Sequence, residues 1–507
     1  MSYSPTLSSA FTDTVMRSDK ITPFSGMCSL CTADCVGPCE IGLSAVLGKA
    51  IVYPTTTGNN QVAAEKDYPI DYSHFNINGR AFGAVGCPAD SEEATIYGVS
   101  LATTIGRRNP VKLTMPIILP AVIKLNWKDY FAAAAMAGVC CVIGEDSPGK
   151  DPDLQLDANG RIVRFEKLKE MREAFSRYDR GYGQIVLQCN LEDLRMGLAE
   201  YALTECGFTA IEFKFGQSAK GTQPAVRIGS LQEALAKKKN GLIVYPDPED
   251  ADIVTLYEKH ACPEFWIYKR LPMWTEETLR QRIQSLRPLG MKNVYFKMAG
   301  FDRRDIEEVL RLAAVLDVDL VTLDGAGGGS GYSPNKMMNE WGLPAVCIES
   351  ALPEMCGRLE KAGLKVPDIA IAGGITSEDQ VYKALAIGAP HVKAVGLCRA
   401  PMAAAMVGEK VGQLLASGAI PKHLERYGGT REALFRHLPE LRSMYGGETD
   451  RMSAGAIGAY SYLQKIAFGL RHFAALNRKF DVTYINRDDV IPMTRDAKDI
   501  LNGTWFG

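Results

Sequence analysis

From about residue 115 onward the chain alternates short apolar runs with amphipathic segments, and the period of each predicts its element. Eight runs have the length and composition of strands: PIILPAV (116–122), VCCVIG (139–144), QIVLQCN (184–190), AIEFKFG (210–216), NVYFKMA (293–299), DLVTLDG (319–325), DIAIAGG (368–374) and HVKAVGL (391–397). Helical patterns lie between many of them. RRDIEEVLRLAAVL (303–316) repeats its apolar residues at i, i+3, i+4 and i+7, and SEDQVYKALAIG (377–388) opens on a Ser N-cap and closes on Gly. Eight strands alternating with helices predict an α/β fold on a parallel sheet. Their number and regularity favour a closed (β/α)8 TIM barrel over an open, doubly wound sheet. The interval between the fourth and fifth strands, about 217–290, is too long for a loop and must hold an insertion.

The flanks read differently. Residues 1–110 are irregular and rich in Gly, Pro, Ser and Thr, and they contain four clustered cysteines. The barrel is expected over 111–410, and 411–507 reads as a helical, charged C-terminal extension. A chain of 507 residues that is 46% hydrophobic and 23% charged is not disordered. Its net charge of −2 supplies no electrostatic reason to expect nucleic acid or an anionic membrane as partner, so an anionic ligand needs a local site. The opening MSYSPTLSSAFTDTVMRSDK lacks the apolar centre of a signal peptide. No uncharged apolar run reaches the roughly 18 residues that span a bilayer. A cytoplasmic protein is expected. Thirteen cysteines, an odd number without a secretory signal, argue against a disulfide framework; nine are scattered and read as small buried hydrophobes.

Ligands of such a barrel bind at the C-terminal ends of its strands, with phosphate often after the seventh and eighth. Here the seventh strand ends in Ala372-Gly373-Gly374-Ile375-Thr376-Ser377 and runs straight into a helix. Two residues without Cβ let backbone N–H groups approach an anion, and the helix N-terminus adds its dipole. Gly396 and Leu397 end the eighth strand, where their amides can complete the cradle. The rival reading, tight turns alone, is weakened by the two motifs falling at consecutive strand ends. The sixth strand ends in Asp324-Gly325-Ala326-Gly327-Gly328-Gly329-Ser330-Gly331, a rim loop with little bulk, against which a flat ring could lie. Lys297, within an apolar strand, is expensive to bury alone. It either stabilises negative charge on a ligand at the rim or pairs with a structural carboxylate.

Read together, these stretches resemble the FMN-binding synthase domain of glutamate synthase and its stand-alone relatives. The strand and loop Glu212-Phe213-Lys214-Phe215-Gly216-Gln217-Ser218-Ala219-Lys220-Gly221, the strand lysine Lys297, the Asp324–Gly331 loop followed by Ser333-Pro334 and Gly342-Leu343-Pro344, and the Gly373-Gly374 turn all match that family's pattern. So do Pro116–Ser147 and the tail pieces Lys479-Phe480-Asp481 and Arg487-Asp488-Asp489. The resemblance spans about 115–500. It implies FMN, with Gly325, Gly327, Gly328 and Gly329 by the ring and Gly373, Gly374, Gly396 and Leu397 at the phosphate. It also implies reduction of 2-iminoglutarate to L-glutamate, with Lys297 and Lys220 meeting carboxylate or flavin charge and Gln217 and Glu145 as polar contacts. There are departures. Ala326 and Gly327 stand where the family has His and Asp, and YKRLPMWT (268–275) keeps little of a conserved segment. The three-cysteine motif for a 3Fe–4S cluster is missing after the eighth strand, and no amidotransferase domain is expected ahead of the barrel. A separate amidotransferase subunit, an electron donor such as ferredoxin or a reductase subunit, and a homo-oligomer are therefore expected.

Cys28, Cys31, Cys35 and Cys39 form C-x2-C-x3-C-x3-C in a Gly- and Pro-containing segment. One short loop can wrap four such thiolates around a single centre. A 4Fe–4S cluster, a structural zinc and a reduced thiol cluster are the rival readings. Zinc ligands more often split into two separated pairs, so the compact run favours iron–sulfur.

Overall fold

The computed structural model describes residues 40–48, 70–122, 126–216, 226–261, 265–299, 302–325 and 342–503. Eight parallel strands close into a barrel in chain order: β1 (Ile117–Val122), β2 (Cys140–Ile143), β3 (Ile185–Cys189), β4 (Ala210–Gly216), β5 (Asn293–Ala299), β6 (Leu320–Asp324), β7 (Asp368–Ala372) and β8 (Val392–Gly396). Closure runs through Val395 opposite Ile117 and Gly396 opposite Ile118. All eight predicted runs are barrel strands. The helices that follow them are α1 (Trp127–Ala137), α2 (Glu166–Ser176), α3 (Leu198–Glu205), α4 (Glu276–Leu286), α5 (Arg303–Val315), α6 (Ala345–Lys361), α7 (Glu378–Ile387) and α8 (Arg399–Ala416).

The period-2 alternation of the strands sorts side chains into two cores. Ile211 and Phe213 of β4, Val294 and Phe296 of β5 and Ile369 and Ile371 of β7 point outward into the large core under the helices. Between them Ile118, Cys140, Val142, Val186, Ala210, Tyr295, Leu320, Ala370 and Ala394 form a separate apolar layer inside the barrel. A two-stranded hairpin, Thr103–Ile105 with Val111–Leu113, closes that layer from the N-terminal end with Ile105 and Leu113. The barrel is therefore plugged at its N-terminal end.

Between β4 and β5 lies a small antiparallel sheet of Val226–Ile228, Phe265–Tyr268 and Ile243–Tyr245, with its own core of Ile228, Ala234, Val244 and Phe265. Beyond α8 the long helix α9 (Ala454–Leu476) crosses α8, α1 and α7, and the helix Glu40–Leu47 packs over the crossing. Small residues make it possible. A Cβ added to Gly408 would stand 2.5 Å from the Ala454 carbonyl oxygen, and one on Gly458 would stand 2.7 Å from that of Ala404. Phe75–Ile77 pairs antiparallel with Val490–Pro492, so segments flanking the barrel on either side zip together. Among the described residues no helix is long and apolar enough to cross a membrane.

Candidate active site

Directly above the apolar layer, the same inward positions of β3 to β6 turn polar. Gln188 sits two residues above Val186, Glu212 above Ala210, Lys297 above Tyr295 and Thr322 above Leu320, with Lys214 and Asp324 one step higher. Lys297 Nζ meets Asp324 Oδ2 at 3.2 Å, and the Lys297 and Asp324 side chains are only 5% and 3% exposed. Gln188 Nε2 donates to Glu212 Oε1 at 2.5 Å. Burial pulls the Lys297 ammonium down, but the Asp324 and Glu212 carboxylates outweigh it, and the net shift is upward. Burial holds the Glu212 carboxyl above the usual carboxylate range, against the opposing pull of Lys297, Gln188 and Lys214. A fixed cation thus lies between two carboxylates at the floor of the mouth. The Gln188 Oε1 and Thr322 Oγ1 atoms are buried there without a hydrogen-bond partner among the described residues. Such orphans call for a water or a ligand.

The rim beside β2 carries a second set of charges. Glu145 Oε1 lies 3.9 Å from Lys214 Nζ, both buried. Asp146, at φ 65°, pairs with Lys269 and accepts from Asn190 Nδ2 at 2.8 Å, while its own amide donates to Asp193 at 3.1 Å. Arg270 Nη1 reaches both oxygens of Glu192 at 2.8 and 2.7 Å, and Trp274 Nε1 donates to the Lys214 carbonyl at 3.1 Å. The segment 268–275 is therefore part of the wall.

The anion end is built by β7, β8 and α7. Gly374 has φ +74°, a region L side chains rarely enter, and no atom of the described residues stands within 4 Å of where its Cβ would be. The Gly373, Gly374 and Ile375 amides find no backbone acceptor among the described residues. The Thr376 and Ser377 amides are taken by Gln380 Oε1, at 2.9 and 3.3 Å. Thr376 Oγ1 is buried and has no hydrogen-bond partner among the described residues. Leu397 does not donate as expected: its amide is bonded to the Ile118 carbonyl at 3.0 Å. Tyr130 Oη donates to the Leu397 carbonyl at 3.4 Å. Gly325 and Gly396 serve packing. A Cβ on Gly325 would stand 2.5 Å from the Ala345 nitrogen, and one on Gly396 would stand 2.6 Å from Ala372 Cβ and 2.7 Å from Pro120 Cγ.

Of the residues picked from sequence, Lys297, Glu145, Gly325, Gly373, Gly374, Gly396 and Leu397 converge on this one end of the barrel. Gln217, Lys220, Gly327, Gly328, Gly329 and the four cysteines Cys28, Cys31, Cys35 and Cys39 lie outside the described residues. Glu212, Lys214, Gln188, Asp324 and Thr376 were not singled out. The signal for the first two was the alternation in AIEFKFG, which sets charge on every second residue of a strand whose other face is apolar.

A closed barrel with this end defines a (β/α)8-barrel enzyme. Residues 269–407 match the family model described as the conserved region in glutamate synthase, a span that runs from the Lys269 wall through Lys297 to α8. Among curated relatives, the archaeal glutamate synthase [NADPH] of Methanocaldococcus jannaschii is 29% identical over 187 residues, which is 36% of this chain and 32% of that one. The archaeal-type glutamate synthase [NADPH] of Thermotoga neapolitana is 31% identical over 124 residues, 24% and 23% of the two chains. This chain thus spans a third or less of the length of these relatives. Over residues 269–407 the chain is glutamate synthase-like in sequence. Among solved structures, a flavocytochrome b2 variant with pyruvate bound superposes with a TM-score of 0.46 at 14% identity, covering 84% of this chain and 78% of that one. At that distance it bears on neither ligand nor reaction.

Proposed function

We propose that this chain is an FMN-dependent oxidoreductase of glutamate synthase type, reducing an imine at the mouth of its barrel. The observation that carries the reading is Lys297, a lysine buried between Asp324 and Glu212 at the barrel end that also carries the glycine turn, inside the segment that matches the glutamate synthase family model. The turn fits a phosphate. The Gly373, Gly374 and Ile375 amides and the Thr376 hydroxyl, which has no hydrogen-bond partner among the described residues, would hold it. FMN, when bound, supplies hydride chemistry. The residues around it orient and balance charge: Lys297 holds a cation where negative charge develops, and the Glu145–Lys214 pair, with Gln217 and Lys220, contacts the polar ends of the substrate.

The substrate class is an imine formed from a keto acid and ammonia, 2-iminoglutarate giving L-glutamate. Ala326 and Gly327, where the family has His and Asp, favour one alternative, another amino acid, imine or N-heterocycle on the same machinery. Cys28, Cys31, Cys35 and Cys39 would hold a 4Fe–4S cluster that receives single electrons from a ferredoxin or reductase subunit. Ammonia would come from a separate amidotransferase subunit. Protein purified anaerobically should be yellow-brown, release FMN and not FAD on denaturation, and contain about four iron atoms per chain, as cluster stoichiometry requires. Colourless protein without flavin refutes the reading. Zinc in place of iron refutes only the relay.

A further inference from the structure

Beyond the segment that matches the glutamate synthase model, α9 reaches the anion end of the mouth with two buried side chains. Tyr462 Oη donates to the Thr376 carbonyl at 2.6 Å. Lys465 Nζ meets Glu378 Oε2 at 2.5 Å, with the two side chains 1% and 8% exposed. Glu378 is the first residue of α7, so its carboxylate belongs to the very helix end whose dipole and amides would attract an anion. An unpaired carboxylate there would oppose a phosphate. The side chain instead lies along α9: a Cβ added to Gly469 would stand 2.2 Å from Glu378 Cγ, so only glycine at 469 leaves it room. The Thr376 hydroxyl, buried and without a partner among the described residues, marks independently that this turn is built for a ligand.

We propose that Tyr462 and Lys465 are positioning residues for the phosphate of the cofactor. Lys465 draws the Glu378 carboxylate onto α9 and cancels its charge, and Tyr462 pins the Thr376 carbonyl away from the anion. The inference rests on the flavin reading above and adds to it that phosphate affinity is set from a helix outside the barrel.

Apoprotein titrated with FMN and with riboflavin, which lacks the phosphate, tests it through quenching of flavin fluorescence. Lys465→Met should weaken FMN binding by roughly tenfold or more while leaving riboflavin within about twofold, because the loss is electrostatic and local. Removing both charges in Glu378→Gln/Lys465→Met should restore most FMN affinity. Tyr462→Phe should weaken FMN alone by roughly three- to tenfold, the worth of one hydrogen bond. Equal losses for both flavins, or none for FMN, overturn the inference while the flavin reading stands. Wild type that binds neither flavin overturns both. If Lys465→Met does not fold, the double variant and Tyr462→Phe decide by the same comparison.

Discussion

The ammonium of Lys297 lies 3.2 Å from Asp324, with Glu212 on the neighbouring strand as its second carboxylate. Removing the cation leaves two buried carboxylates without it, a change that costs about 3–5 kcal/mol when a buried pair is broken. Lys297→Met should therefore lower the melting temperature and collapse turnover while the distant glycine turn still binds FMN. The loss has a pH signature. Glu212 already titrates above the usual carboxylate range, and without Lys297 it rises further. A carboxyl raised in the folded state stabilises at low pH and loses that contribution as pH climbs through its folded value. The stability gap between wild type and variant should therefore narrow from pH 8 to pH 5. Denaturant melts at the two pH values check it, and a constant gap would mean that Glu212 is not the group exposed by the change. Sequence could place Lys297 on an inner strand position but could not name its partners. Asp324 read as the start of a glycine loop and Glu212 as one letter of a strand, because only the closed barrel brings adjacent strands into register around one ammonium.

At the scale of elements, alternation and length were enough to find every barrel strand, and β4 and β5 fall on the predicted residues 210–216 and 293–299. The other strands are shorter by a residue or two at their ends, where hydrogen bonding to a neighbour, not composition, decides the boundary. Glycines were less legible, since one letter serves two purposes. Gly374, at positive φ, has no described atom within 4 Å of its Cβ position, whereas Gly396 is wedged between Ala372 and Pro120. Gly374→Val should strip FMN with a loss of about 1–2 kcal/mol in stability from the strained backbone alone. Gly396→Val should overpack the strand end and lose roughly 1–3 kcal/mol or more, whether or not flavin is present. Apoprotein melts of the two variants, beside their flavin content, separate the roles. A Gly374→Val protein that keeps stoichiometric FMN would remove the turn from the phosphate site.

At the scale of the molecule, α9 ties the barrel helices together, and one carboxylate records the burial. Asp129 of α1 accepts from Ser453 at the start of α9. Burial, aided by Glu409 and opposed by the Ser453 bond, pushes its carboxyl up to about 6. Its folded value lies above its unfolded one, so its contribution is full below about pH 4 and is lost as pH rises through 6. Asp129→Asn keeps the acceptor and removes the titration. It should gain about 1–3 kcal/mol over wild type at pH 7.5 and almost nothing at pH 4. The same crossing predicts that Gly408→Leu, which drives a side chain into the Ala454 carbonyl, loosens α9 and raises hydrogen exchange along it.

The pairing of Phe75–Ile77 with Val490–Pro492 places a demand on synthesis. The early strand leaves the ribosome about 400 residues before its partner exists. At roughly 5–20 residues per second it waits about 20–80 seconds with an open edge. Every barrel strand is made in that interval. The zipped state is therefore among the last contacts that synthesis permits, and its yield is expected to depend on translation speed and chaperone supply.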